Sequence, residues 1–73
     1  MTRCIAPVAP EQRLQTIMEI ADYVHGIMDD VCGDNISIYF PHLTDAAIKK
    51  LRYHFSIVKR DPFGFVFFRR LMP

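Results

Sequence analysis

The sequence has few of the residues that small secreted domains depend on. It contains two cysteines, Cys4 and Cys32, in 73 residues, whereas secreted domains of this size are usually held together by several disulfides. The segment before Glu11 has no apolar run of signal-peptide length, and Pro7 and Pro10 interrupt it. We therefore predict a soluble, cytoplasmic protein with reduced thiols.

Long apolar runs are also missing. The longest stretch, Phe63 to Phe68, has six residues even when Gly64 is counted, and a membrane-spanning helix needs about 20. The sequence therefore predicts no interaction with a membrane.

The spacings that active sites and metal centres require are absent as well. The histidines His25, His42 and His54 form no His-x-x-x-His pair, and the cysteines form no Cys-x-x-Cys pair. The three glycines are too dispersed for a phosphate-binding loop. Because no spacing joins a nucleophile, a base and an orienting group, we predict that the chain is not an enzyme and uses no cofactor and no metal.

Apolar residues, in contrast, are abundant. Hydrophobic residues make up 51% of the sequence and aromatic residues 12%, which is too much for a disordered tail. The length suits one domain, and we predict a flexible arm over residues 1–9 and a single compact domain over 10–73. A domain this small covers only about 60% of its unfolded-chain surface, so surplus apolar surface indicates a partner or a homodimer.

The first half of the sequence predicts a long N-terminal helix. Apolar residues recur at spacings of three and four from Leu14 to Val31, which is typical of one helix face. Pro10 and Glu11 suit a first helical turn, and Gly33 suits the left-handed residue that often ends a helix. The resulting helix would have about 22 residues.

The second half predicts a strand, a shorter helix and a hairpin. Isoleucine and phenylalanine alternate with polar residues from Ile36 to Phe40, and Thr44 is a suitable N-cap for a helix whose apolar face includes Phe55. The predicted fold class is α+β, a long N-terminal helix followed by β-α-β-β, with a small antiparallel sheet packed on two helices. A winged-helix-like module is the alternative. The remaining elements are a strand over 56–60, a turn over 61–64 and a return strand over 65–71.

One face of such a sheet would stay open. Tyr39, with either the Phe65/Phe67 pair or the Val66/Phe68 pair, would lie on it. The alternation alone does not decide between the two pairs.

Charge is divided between the two halves. Residues 1–36 carry two bases and six acids, a net charge of −4, and residues 37–73 carry seven bases and two acids, a net charge of +5. We expect the bases at 59–60 and 69–70 to meet at the same end of the hairpin. The basic side can be a solvated face with internal salt bridges, a phosphate-binding surface or a docking face for a protein. The predicted binding residues are Tyr39, Lys49, Arg52, Tyr53, Lys59, Arg60, Phe63, Arg69 and Arg70.

Two segments resemble a known family. The stretch 63–68 is similar to the centre of the RNP1 signature of RNA recognition motifs, and the stretch 38–43 is similar to the companion RNP2 strand. The resemblance implies that Tyr39, Phe63 and Phe65 stack on RNA bases. The sequence departs from the signature at Asp61 and Pro62, where the family has a basic residue and a glycine.

These observations predict a small non-enzymatic regulator or inhibitor. It would dock through its basic and aromatic face onto a larger protein complex, and we expect this complex to be host machinery that handles nucleic acid. In size and divided charge, the chain resembles the small regulators that phages and plasmids encode. Direct binding of single-stranded RNA or DNA is the first alternative, and a structural homodimer joined through the first helix is the second.

Overall fold

The computed structural model of the chain describes residues 8–71. A 3-10 turn at Glu11–Arg13 precedes the helix α1 (Ile17–Asp30) and the strand β1 (Asn35–Tyr39). They are followed by the helix α2 (Asp45–Leu51) and by the strands β2 (Phe55–Arg60) and β3 (Phe65–Arg70). The predicted α+β class and the antiparallel sheet are confirmed.

The predicted long N-terminal helix is wrong, because α1 has 14 residues and begins after Thr16. The Thr16 hydroxyl accepts a hydrogen bond from the Glu19 backbone N–H at 3.1 Å, and the Glu19 carboxylate accepts one from the Thr16 N–H at 2.9 Å. This reciprocal capping box fixes the start of a helix. The residues from Pro10 to Arg13 form a separate short turn instead of extending the helix.

The end of α1 also differs from the prediction. The Gly33 N–H donates to the Met28 carbonyl at 3.0 Å, and the Cys32 N–H donates to the Asp29 carbonyl at 3.3 Å. This pair of bonds is a Schellman motif, whose left-handed position glycine usually occupies. Here Cys32 takes that conformation, with φ of 53°, and Gly33 follows it. The helix therefore ends with a side chain in a backbone region that costs about 1–2 kcal/mol for residues other than glycine.

The sheet has the strand order β1-β3-β2, and both neighbours of β3 are antiparallel to it. Within residues 8–71 a single helix lies between β1 and β2, so the helix-turn-helix pair of a winged-helix module is not present there. Phe55, which the sequence assigned to the apolar face of the second helix, is the first residue of β2. Thr44 caps α2 as predicted, accepting a hydrogen bond from the Ala47 N–H at 3.1 Å.

Both helices contribute to a core on one side of the sheet. The phenyl rings of Phe55 and Phe68 meet edge to face with their centroids 5.2 Å apart, and the His25 imidazole on α1 lies 4.5 Å from Phe55. Edge-to-face and tilted aromatic pairs at these distances add to the stability that burial supplies. The fully buried side chains of the core are Val24, Met28, Ile38, Leu51, Phe55, Val58, Val66 and Phe68.

Most of the predicted flexible arm, residues 1–7, lies outside the described residues. Its last two residues are next to β1: Val8 forms a parallel bridge with Tyr39, and the Ala9 N–H donates to the Tyr39 carbonyl at 3.0 Å. Ala9 is buried in the core. Across residues 8–71, no helix combines the length and the apolar character needed to cross a bilayer.

The geometry at Cys32 predicts that glycine stabilises the fold. Cys32→Gly removes the left-handed strain and is expected to raise the free energy of unfolding by about 0.5–1 kcal/mol, because the more flexible unfolded chain offsets part of the gain. Cys32→Ala keeps the strain and should leave stability nearly unchanged. Urea unfolding followed by circular dichroism measures both variants, and equal stabilities for the two would contradict this account.

Candidate functional site

The side of the sheet opposite the helices forms a continuous surface of strand side chains. Strand pleating sends alternate residues to opposite faces, and the burial of Val66 and Phe68 assigns the intervening residues of β3 to this side. We call this surface the open face. Its members are Asn35, Ser37, Tyr39, Ile57, Lys59, Phe65, Phe67 and Arg69.

A bulge in β2 brings its side chains into register with this surface. Phe55 lies opposite Arg70 and Ile57 lies opposite Arg69, so Ser56 is an extra residue without a partner on β3. The Ser56 hydroxyl donates to the carbonyl of Arg70 at 3.0 Å, and to that of Arg69 at 3.3 Å. The bulge allows Phe55 and Val58 both to reach the core while Ile57 and Lys59 turn to the open face.

Aromatic rings form the centre of the open face. Tyr39 on β1 lies opposite Phe65 on β3, with ring centroids 5.1 Å apart and planes tilted by 59°. Phe67 lies two residues further along β3, opposite Ser37 on one side and Lys59 on the other. All three rings are half-buried, which leaves part of each ring accessible for contact with a ligand.

The turn before β3 positions the three rings of Tyr39, Phe65 and Phe67, which we call the aromatic row. The Asp61 carboxylate accepts hydrogen bonds from the Phe63 N–H at 2.8 Å and the Phe65 N–H at 3.0 Å. Gly64 has a φ of 95°, and its carbonyl accepts a hydrogen bond from the Phe40 N–H at 2.9 Å. The position is also crowded, because a Cβ added to Gly64 would lie 3.1 Å from the Tyr39 ring. Only glycine can adopt this positive φ and lie this close to the Tyr39 ring without strain.

The charges on the open face have one sign. Lys59 and Arg69 are exposed there, diagonally across β2 and β3, and within residues 8–71 neither forms an ion pair. None of the eight acids of the chain lies in a strand. The open face therefore presents positive charge beside aromatic rings, and no strand carboxylate opposes it.

Three other bases of the predicted set stabilise the fold. Arg60 pairs with Asp45 at 2.9 Å, and Arg70 pairs with Asp29 at 3.0 Å. The Arg52 guanidinium donates two hydrogen bonds to the Val58 carbonyl, at 3.2 and 3.3 Å. These contacts lie on the helical side of the sheet or at its β2 edge.

The expectation that four bases meet at the same end of the hairpin is wrong. Lys59 and Arg60 are next to the turn, but Arg69 lies opposite Ile57 and Arg70 opposite Phe55, at the other end of the strands. The reason is that the bases at 69–70 end a strand of six residues, so antiparallel pairing moves them away from the turn by the length of that strand.

The predicted binding residues thus lie in three places. Tyr39, Lys59 and Arg69 share the open face. Phe63 is at the tip of the turn, with 77% of its surface exposed. The remaining residues belong to the helical layer or to contacts with it: Lys49, Arg52 and Tyr53 on α2 and after it, and Arg60 and Arg70 in their ion pairs.

The predicted binding residues do not include Phe65, Phe67, Ile57 and Ser37, which also lie on the open face. For Phe65 a sequence signal exists, since it falls within the segment that resembles RNP1. Phe67 could not be assigned to a face, because both alternating sets of residues in β3 are apolar. Ile57 could not be assigned, because no sequence pattern marks the bulge in β2.

The histidines do not form a site together. His25 packs on Phe55 at the edge of the core, whereas His42 lies in the loop after β1, where its backbone N–H donates to the Glu11 carboxylate at 3.0 Å. Within the described range, no three His, Cys, Asp or Glu side chains are close enough to hold a metal ion.

Comparison of the chain with protein-family models, with curated proteins and with solved structures found no match.

Two glycines provide a matched test of how the aromatic row is positioned. Gly64→Ala combines left-handed strain with contact against the Tyr39 ring, so we expect it to lower the free energy of unfolding by about 1–3 kcal/mol. Gly26 lies in α1 with no atom within 4 Å of an added Cβ, and Gly26→Ala should raise it by about 0.5–1 kcal/mol. Urea unfolding of both variants measures the difference, and a neutral Gly64→Ala would contradict this role for the turn.

Proposed function

We propose that this chain is a non-enzymatic module that binds single-stranded nucleic acid on its open face. The observation that carries the proposal is the arrangement of Tyr39, Phe65 and Phe67 beside Lys59 and Arg69, on a sheet face whose strands carry no carboxylate. Proteins that bind single strands combine aromatic side chains, on which bases stack, with positive charges that follow the backbone. Both parts are present here within three adjacent strands.

The spacing of the rings suits consecutive bases. Tyr39 and Phe65 are on neighbouring strands, which lie about 4.8 Å apart, and Phe65 and Phe67 are separated by about 6.8 Å along β3. Base–aromatic stacking contributes about 1–3 kcal/mol per base and depends little on sequence, because every base has a π-face. Two or three stacked bases would therefore supply most of the binding free energy.

The two bases of the open face are placed to contact phosphates at its margin. Lys59 lies on the edge strand β2 and Arg69 at the end of β3. If each neutralises one phosphate, the logarithm of the association constant falls with the logarithm of the salt concentration with a slope of about −1.4. Such a slope is modest, since stacking supplies the larger part of the binding free energy.

The resemblance to RNA recognition motifs supports the same surface. In that family the RNP1 and RNP2 aromatics stack bases from an open sheet. Tyr39 and Phe65, two of the three residues that the resemblance implies, face each other across β1 and β3. The third, Phe63, lies at the tip of the turn, next to the end of the row.

Docking onto a larger protein complex, as a regulator or inhibitor of nucleic-acid machinery, is the second candidate function. The observation that favours it is the surface at the end of α2, where Tyr53 is 84% exposed and Lys49 and Lys50 are exposed beside it. Within residues 8–71 neither lysine forms an ion pair. This surface would recognise an acidic protein partner, since complementary charge sets the rate and register of docking.

The homodimer has less support. Of the apolar stripe on α1, Met18 and Val31 remain strongly exposed, each at 59%. They are at opposite ends of the helix, about 20 Å apart, and a stable homodimer needs a contiguous apolar surface.

Charge reversal tests which surface binds. Lys59→Glu with Arg69→Glu should weaken binding of a labelled octanucleotide at least about tenfold at about 50 mM salt, because repulsion replaces two phosphate contacts. Fluorescence polarisation measures the affinity for RNA and DNA octamers. Lys49→Glu with Lys50→Glu makes the same charge change on α2 and should have a much smaller effect.

Equal losses in the two double variants would mean that bulk charge, and not the open face, governs binding. Absence of binding by the wild-type chain at low salt would exclude the nucleic-acid proposal. In that case, a protein partner that is released by the α2 variant alone would favour the docking function.

Removal of one ring tests stacking separately from charge. Tyr39→Leu keeps apolar bulk against Phe65 but removes the aromatic face, and we expect an affinity loss of about 1–3 kcal/mol, roughly 5- to 150-fold. Tyr53→Leu removes an equally aromatic and more exposed ring from the helical side and should bind as the wild type does. Polarisation titrations with the same octamers make the comparison, and unchanged affinity for Tyr39→Leu would rule out base stacking on this ring.

A further inference from the structure

A cleft adjoins the open face at Tyr39. It has a volume of about 430 Å³ and lies between the segment 8–13 and the chain from Tyr39 to His42. Volumes from about 300 to 1,000 Å³ are typical of small-molecule sites. Tyr39 belongs both to the aromatic row and to the lining of the cleft, so a strand bound along the row would reach the cleft directly.

The outer wall of the cleft is held by several hydrogen bonds. The Ala9 N–H donates to the Tyr39 carbonyl at 3.0 Å, and the Tyr23 hydroxyl of α1 donates to the Val8 carbonyl at 3.3 Å. Burial raises the pKa of Tyr23, and the positive charge of nearby Arg13 partly opposes that shift. The wall is thus built before any ligand arrives, which reduces the entropy cost of binding.

Glu11 is the one carboxylate among the described residues that line the cleft. One of its carboxylate oxygens, Oε1, accepts a hydrogen bond from the backbone N–H of His42 at 3.0 Å, and this bond fixes the side chain at the cleft wall. Within residues 8–71, the second oxygen, Oε2, has no hydrogen-bond partner. A half-buried carboxylate with a spare oxygen is an acceptor only, so it favours a ligand that donates.

We propose that the cleft selects a nucleobase that carries an exocyclic amino group, with Glu11 as the residue that recognises it. This inference rests on the proposed binding of single-stranded nucleic acid. Cytosine offers an N4 amino group, which carboxylates accept from, whereas uracil and thymine present a carbonyl oxygen at the same position. A carbonyl placed against Oε2 leaves two acceptors facing each other, so uracil is disfavoured.

Cytosine and uracil octamers provide the most closely matched probes, because they share the ring size and differ in the group at C4. Fluorescence polarisation at pH 7.5 should show that the wild-type chain binds oligo(rC) about tenfold more tightly than oligo(rU), within the discrimination of one base contact. Glu11→Gln should reduce the ratio to near one. The amide oxygen can still accept the His42 N–H, while the amide NH₂ can donate to the uracil carbonyl.

Asp22→Asn is the matched control for this variant. It makes the same change of one charge on the exposed surface of α1, and Asp22 does not line the cleft. Asp22→Asn should bind both octamers slightly more tightly through reduced repulsion and keep the ratio of the two affinities, whereas Glu11→Gln should change that ratio.

Each further outcome separates the two proposals. If both octamers bind the wild-type chain equally, or if the ratio survives in Glu11→Gln, base selection by Glu11 is overturned while binding on the open face stands. If neither octamer binds, the proposed function fails and base selection fails with it.

Discussion

The alternation of side chains along β3 is the constraint on which the rest of the structure depends. This strand is hydrogen-bonded on both sides, and Val66 and Phe68 are fully buried beneath the helices. The pleat therefore sends Phe65, Phe67 and Arg69 to the other side. A shift of one residue would exchange the two sets and place Arg69 in the core, so burial on one face specifies the surface offered on the other.

The same alternation places apolar side chains that the small core cannot enclose together on the open face. Half of the residues are hydrophobic, and a core this small cannot enclose them all. Tyr39, Phe65 and Phe67 are half-buried next to each other, whereas Met18 and Val31 are exposed singly. Scattered apolar residues are normal on a surface, but a contiguous apolar patch marks an interaction site.

Local signals predicted much of the fold, and what they missed has both local and long-range causes. Thr44 and the alternation before Phe40 identified α2 and β1. The apolar spacing that starts at Leu14 concealed the capping box at Thr16, and nothing local predicted that Cys32 would take the conformation expected near Gly33. Of the site, sequence placed Tyr39 on the open face, but both alternating sets of β3 are apolar and no pattern chooses between them. The ion pairs of Arg60 and Arg70 join residues at least 15 positions apart, so they depend on the tertiary fold.

The Arg52 guanidinium blocks part of the exposed edge of β2. Its two hydrogen bonds occupy the Val58 carbonyl on β2, a group that an incoming strand would otherwise use for pairing, and Lys59 and Arg60 add charge to the same border. Natural sheets resist aggregation when such borders are blocked or charged. On the opposite border, the Ala9 N–H already donates to the Tyr39 carbonyl of β1. At these positions the edge strands are hindered from pairing with strands of another molecule. The aromatic rings of the open face can therefore remain exposed to solvent without edge-to-edge association of the chain.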